Sequence, residues 1–210
     1  MSLNQIQNTP ASLAELQRSY DALYRGWMGE HENTDQAQRM LDLLEVRAGQ
    51  RLLDVGCGTG ALLHVAAARG LDVLGVDLSP VALTHARARY ELDTRLLLGS
   101  GEDLPCADAG FDYVVNLGSL EHFLDPALAV QEMARVLKPG GKAALLVPNS
   151  HHLRALYNVW KYGDIISDLQ EYERFATRGE WERLLAANGL PVISAHKYDT
   201  GMARIYRPGR

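Results

Sequence analysis

The chain is 210 residues long, with 21 Lys and Arg against 26 Asp and Glu and a formal net charge of -5 at pH 7. That length suits one domain with a sizeable core, and the acidic balance argues against the basic footprint of a nucleic-acid binder. Two cysteines, Cys57 and Cys106, make neither a disulfide framework nor a metal cluster, which points to a reducing cytoplasm, and the polar start Met1-Ser2-Leu3-Asn4-Gln5 lacks a signal peptide's apolar segment.

In chain order, residues 11–28 place Leu13, Leu16, Tyr20, Leu23, Tyr24 and Trp27 near one helical face, predicting an amphipathic helix. A second helix is expected after Asn33 or Thr34, carrying Met40, Leu41, Leu44 and Val46. Both precede the first strand and read as cover elements. Strands then alternate with helices: a strand at 51–55, a helix from Gly60, a strand at 72–76, a helix from Pro80, and strands at 94–98 and 112–116. Pro126 opens the next helix, proline being welcome in a first turn. That helix is expected to stop at Lys138-Pro139-Gly140-Gly141, before a strand at 142–147. Such alternation predicts a parallel sheet with helices on both faces. No run approaches the length of a membrane span.

Residues 148–188 read as inserted helices, the last marked by Trp181, Leu184 and Leu185 and closed by Asn188-Gly189. Residues 190–197 and 202–206 read as strands joined by Asp199-Thr200-Gly201, a hairpin that adds one antiparallel strand. The expected single domain therefore divides into cover helices (1–48), a cofactor-binding core (49–147), an insertion (148–188) and terminal strands (189–210).

The chemistry concentrates in Leu52-Leu53-Asp54-Val55-Gly56-Cys57-Gly58-Thr59-Gly60, an apolar strand running into a glycine-rich turn. Glycines let backbone approach a ligand closely, and the turn opens onto a helix N-terminus with unpaired N–H groups. Asp77 lies 21 residues after Gly56, where a carboxylate at a strand tip grips ribose hydroxyls. The pattern calls for a nucleoside-bearing cofactor. Gly56-x-Gly58-x-x-Ala61 satisfies the loose dinucleotide fingerprint, but no repeated mononucleotide-binding half follows.

The fuller description is Asp54-x-Gly56-x-Gly58-x-Gly60, which resembles motif I of the class I S-adenosylmethionine-dependent methyltransferases. Gly75 to Pro80 resembles the family's second motif, with Asp77 as ribose acid. Gly99-Ser100-Gly101-Glu102-Asp103-Leu104-Pro105 is similar to the segment lining the adenine pocket, with Ser100 where many relatives carry Asp. Phe111 to Asn116 resembles the fourth strand, Leu120-Glu121-His122-Phe123-Leu124-Asp125-Pro126 the segment after it, and Arg135 to Lys142 the turn before strand five. The ordered set points to the subgroup containing ubiquinone and menaquinone biosynthesis methyltransferases and many small-molecule methyltransferases.

The resemblance implies an α/β, Rossmann-like, mostly parallel seven-stranded sheet with one antiparallel strand. It implies S-adenosylmethionine as cofactor, leaving S-adenosylhomocysteine, held by Asp54, Gly56, Cys57, Gly58, Gly60, Asp77, Leu78, Gly101, Glu102, Asp103, Asn116 and Tyr20. Asn116 reads equally as a cap for the turn after its strand. His122 is the candidate general base, or a packing residue. Tyr20 and Tyr24 are either core or a cover for the cofactor. His151, His152 and Tyr157 are candidate acceptor contacts in the insertion, or core; adjacent histidines do not share a helix face, so no metal is expected. The expected protein is a cytoplasmic monomer or homodimer that methylates a small organic acceptor and binds neither nucleic acid nor membrane. A nicotinamide-dependent oxidoreductase, or an adenosylmethionine-binding protein with other chemistry, are the competing readings.

Overall fold

The computed structural model describes residues 4–6, 12–26, 34–91, 95–149 and 173–198. In chain order these form β1 (Asn4–Ile6), α1 (Leu13–Arg25), α2 (Thr34–Leu44), β2 (Arg51–Val55), α3 (Ala61–Ala68), β3 (Asp72–Asp77), α4 (Pro80–Tyr90), β4 (Leu96–Leu98), β5 (Phe111–Leu117), a 3-10 turn (Leu120–His122), α5 (Pro126–Val136), β6 (Leu137–Leu146), β7 (Glu173–Phe175) and α6 (Arg178–Ala187).

Strand β2 is apolar on both sides because helices cover both faces of the sheet. Leu52 joins a core with Leu41, Leu63 and Leu83 from α2, α3 and α4, whereas Leu53 and Val55 join Met133 and Trp181 from α5 and α6. Burying each such side chain stabilises the fold by about 1.5–3 kcal/mol. Five strands pair in parallel in the order β4-β3-β2-β5-β6. The chain starts at the centre, winds outward through β3 and β4, and returns to the far side of β2 with β5. The C-terminal ends of β2 and β5 thus flank the switch point where open α/β sheets bind ligands.

Local chemistry sets the helix starts. Ser79 caps α4 by accepting from the Ala82 N–H at 3.2 Å, with Pro80 in the first turn. Asp125 caps α5 through Ala127 and Leu128, followed by Pro126. Thr177 and Glu180 form a reciprocal capping box on α6, and Gly189 follows its end at a φ of +96°.

Three features differ from expectation. Helix α5 ends at Val136, and Leu137 is already extended and paired with Phe111. Pro139-Gly140-Gly141 therefore forms an irregular stretch within β6, accompanied by a register shift between Phe111 and Tyr113. Residues 190–197 are not a strand. A strand exists through its ladder, Pro191 supplies no N–H, and the expected partner, 202–206, lies outside the described residues; Ile193 is 88% exposed. Finally, β1 and β7 form a separate antiparallel pair, invisible beforehand because three-residue strands carry no period. The seven-strand count is thus reduced, among the described residues, to a five-stranded parallel sheet and this ribbon. No helix among them is long and apolar enough to cross a membrane.

Candidate cofactor site

The turn after β2 requires its glycines. Gly56, Gly58 and Gly60 have φ of +76°, +52° and +84°, in the left-handed region that costs other residues roughly 1–2 kcal/mol. The N–H groups of Gly56 and Cys57 both donate to the Val76 carbonyl, at 2.8 and 3.1 Å, tying the turn to β3. A Cβ on Gly56 would lie 2.4 Å from Ser119 Oγ, so β2 and the segment after β5 meet across this glycine. Gly60 forms the N-cap of α3.

Asp77, at the end of β3, is 8% exposed. Its Oδ2 accepts from the Gly58 N–H at 2.7 Å and its Oδ1 from the Ser79 N–H at 2.8 Å. Burial raises its pKa, and the N–H groups of Ser79 and Gly58 partly oppose that. Leu78 lies between Asp77 and the α4 cap, half-buried. Asp54, 3% exposed within β2, has its pKa pushed up to about 8, first by burial and then by the charge of Asp77. Among the described residues neither carboxylate forms an ion pair. Both acids are buried and their charges oppose one another, so a positive charge brought beside them would favour their ionised forms.

The Cys57 side chain packs into the core, while its backbone belongs to the glycine turn. Its Sγ would touch a Cβ on Gly75 at 2.7 Å, and burial pushes the thiol pKa up. Asn116, fully buried, donates from Nδ2 to the Val55 carbonyl at 2.7 Å and accepts the Leu120 N–H on Oδ1 at 3.0 Å. Of its two expected roles, the structure shows the cap.

The segment after β4 packs against the one after β5. A Cβ on Gly101 would lie 2.7 Å from Phe123 Cζ and 2.9 Å from Val55 Cγ1. Glu102 turns its carboxylate to the backbone, Oε1 accepting from Leu124 at 2.6 Å and Asp125 at 3.2 Å. Ser100 Oγ accepts the Glu102 N–H at 3.1 Å, a turn-stabilising contact, and Asp103 is exposed.

Helix α1 covers this cleft. Ser79 Oγ donates to Asp21 Oδ1 at 2.5 Å, and the Tyr24 carbonyl lies 3.2 Å from His85 Nε2, joining α1 to α4. The Tyr24 hydroxyl sits over the glycine turn, 2.9 Å from where a Gly58 Cβ would be. Burial, then the charge of Asp77, raises its pKa. Tyr20 packs edge-on against His122, with ring centroids 6.0 Å apart. His122 is buried, its Nε2 lying 3.7 Å from Glu121 Oε1.

The structure thus brings Asp54, Gly56, Gly58, Gly60 and Asp77 together, with Tyr20 and His122 along the same sheet edge. His151, His152 and Tyr157 lie outside the described residues. Sequence reasoning missed Ser119 and Asp21, whose partners are 63 and 58 positions away and leave no local signal. No group of three or more His, Cys, Asp or Glu among the described residues is arranged to hold a metal ion. A separate cavity of about 300 Å³, lined by Glu45, Arg47, Gln50, Lys138 and Lys142, opens at the strands' opposite ends.

Residues 53–145 match the model of a methyltransferase domain family. The chain is 39% identical to a ubiquinone biosynthesis O-methyltransferase of Thiobacillus denitrificans, covering 92% of this chain and 90% of that one. It is 42% identical to an uncharacterized methyltransferase of Mycobacterium tuberculosis over 50% of this chain, and spans only 43% of that relative's length. In the solved complex between the Haloferax volcanii Trm112 methyltransferase activator and a putative methyltransferase, the matching chain gives a TM-score of 0.65 at 25% identity, covering 89% of this chain and 80% of that one. The glycine turn, the strand-tip acid and the full-length likeness lead to one conclusion: this chain belongs to the class I S-adenosylmethionine-dependent methyltransferases, in the group that includes ubiquinone biosynthesis enzymes.

Proposed function

We propose that the protein transfers a methyl group from S-adenosylmethionine to a hydroxyl of a small, partly apolar organic acceptor. The observation that carries this reading is the pairing of buried acids in the cleft, Asp54 and Asp77. A sulfonium cofactor places positive charge beside them. Against a dinucleotide stands the sequence, in which no repeated mononucleotide-binding half follows the glycine turn. The hydroxyl as acceptor atom is supported by the O-methyltransferase relative.

When bound, S-adenosylmethionine supplies a methyl group already activated by its positively charged sulfur. The chain's own residues then have to bind, align and exclude water. Each Asp77 oxygen uses one lone pair on a backbone N–H and keeps another for a ribose hydroxyl. The left-handed glycines keep side chains out of the ligand's path, and α1 covers the cleft with Tyr20 and Tyr24. Such positioning supplies on the order of 7–11 kcal/mol when fully realised. His122, with Glu121 beside it, takes the proton of the attacking hydroxyl. His151, His152 and Tyr157 contact the acceptor.

Calorimetry with S-adenosylmethionine, S-adenosylhomocysteine and NAD tests the cofactor, and release of S-adenosylhomocysteine across a phenol and catechol panel tests the acceptor. Binding of the first two without NAD is expected. Tight NAD binding without S-adenosylhomocysteine binding would overturn the proposal.

A further inference from the structure

Between the 3-10 turn that carries Glu121 and His122 and the cap of α5 lies a short connection, Phe123 to Asp125. Its peptide groups are held from opposite sides by two charged side chains far apart in sequence. Glu102 Oε1 accepts the N–H groups of Leu124, at 2.6 Å, and Asp125, at 3.2 Å. Arg174, on β7 and 5% exposed, donates from Nη1 to the Phe123 carbonyl and from Nη2 to the Leu124 carbonyl at 2.7 Å. The Leu124 residue therefore has its N–H on a carboxylate and its carbonyl on a guanidinium. Both bonds are charge-assisted, the stronger class.

The two ends of this clamp belong to different parts of the molecule. Glu102 sits in the segment whose Gly101 backbone lies against the Phe123 ring, next to the cleft. Arg174 sits on β7, two residues before Ala176, which is fully packed into the core that holds Trp181 and Leu185 of α6. The guanidinium fork matches two adjacent carbonyls, a geometry a lysine ammonium does not reproduce.

We infer that Arg174 is a positioning residue: with Glu102 it clamps the Phe123–Asp125 backbone, fixing the turn that carries His122 and linking the cofactor cleft to the β7–α6 layer. The inference rests on the cofactor reading above. Ligand in the cleft orders the Gly99–Pro105 segment, Glu102 passes that order to Leu124, and Arg174 passes it to β7. Hydrogen-bonded chains of this kind carry coupling only where coupling is measured.

The measurement is hydrogen exchange by mass spectrometry on the full chain, with and without S-adenosylhomocysteine, in wild type, Arg174→Gln, Arg174→Lys and Arg178→Gln. Arg178 serves as the control because it pairs with Glu182 on the exposed side of α6. In wild type, S-adenosylhomocysteine should slow exchange in peptides covering 99–105, 120–126 and 173–181. In Arg174→Gln the ligand should still bind and protect 99–105, while its effect on 173–181 is lost, a change of about tenfold or more for bonds to a charged group. Arg174→Lys should be intermediate and Arg178→Gln should behave as wild type. If Arg174→Gln does not fold, Arg174→Lys and Glu102→Gln decide: combined in one chain they should lose no more 173–181 protection than the worse single variant. Ligand protection of 173–181 that is absent in wild type, or intact in the Arg174 variants, overturns the clamp. Failure of wild type to bind S-adenosylhomocysteine instead overturns the cofactor reading.

Discussion

Replacing Asp77 with Asn separates the two tasks of this carboxylate. In the wild type each oxygen accepts one backbone N–H, from Gly58 at 2.7 Å and from Ser79 at 2.8 Å. Asparagine keeps one acceptor and turns an amide N–H toward the other donor. A hydrogen bond to a charged group is worth about 1.5–3 kcal/mol and a neutral one about 0.5–1.5. Losing one and weakening the other costs several kcal/mol before compensation. The compensation is that burial already disfavours the Asp77 charge, as its raised pKa shows, so removing that charge returns part of the loss. A net destabilisation of about 1–3 kcal/mol follows, or roughly 2–12 °C in Tm for a chain of this size. The ribose contacts add a separate loss of about 10- to 100-fold in S-adenosylhomocysteine affinity. Differential scanning fluorimetry reads the first effect and titration calorimetry the second. An unchanged Tm would refute the structural role of the two N–H contacts. A lowered Tm with unchanged affinity would remove Asp77 from the ribose site.

Asp54 should impose a pH dependence on the ligand-free protein. Its pKa of about 8 lies above the ordinary value of 3.8, so the folded state holds a proton the unfolded state has released. The stabilisation is complete below 3.8 and is lost as pH rises toward 8, by at most about 1.4 kcal/mol per pH unit. Asp54→Asn should flatten the pH 5–8 stability profile measured by urea unfolding; an unaltered slope refutes the assignment. Entry of a cationic cofactor should also expel that proton near pH 7, so binding enthalpies should differ between phosphate and Tris buffers. The glycines should separate by environment: Gly56→Ala meets Ser119 at 2.4 Å with φ at +76°, whereas Gly58→Ala meets only the movable Tyr24 hydroxyl at 2.9 Å. Gly56→Ala should therefore lower Tm more, and equal losses would mean that backbone strain alone decides. His122→Gln should slow methyl transfer by about 10²–10⁴-fold with S-adenosylhomocysteine affinity retained, whereas an unchanged rate assigns the turnover to positioning alone.

Much of the site was legible because its chemistry is local. Gly56, Gly58 and Gly60 advertise left-handed backbone, the alternation of apolar runs advertises the parallel sheet, and Asp77 follows at the distance that one strand–helix–strand unit imposes. Pro80 and Pro126 marked helix starts for the same reason, since a first turn needs no N–H from its opening residue. Contacts between distant segments had no such signal. Nothing in the order of residues says that Cys57 turns its side chain into the core against Gly75, that Asn116, besides capping its turn, donates back to the Val55 carbonyl, or that Arg174 reaches the carbonyls of Phe123 and Leu124. Those choices depend on which segments the sheet order brings side by side. A buried polar group takes whichever partner the packed neighbours leave within reach, because burial without a hydrogen bond costs more than any local preference gains. Propensity and spacing therefore settle the five parallel strands, the turn and the acid in advance. The closing of helix α1 on the cleft, and the grip on the His122 turn, come into being only when residues tens of positions apart meet.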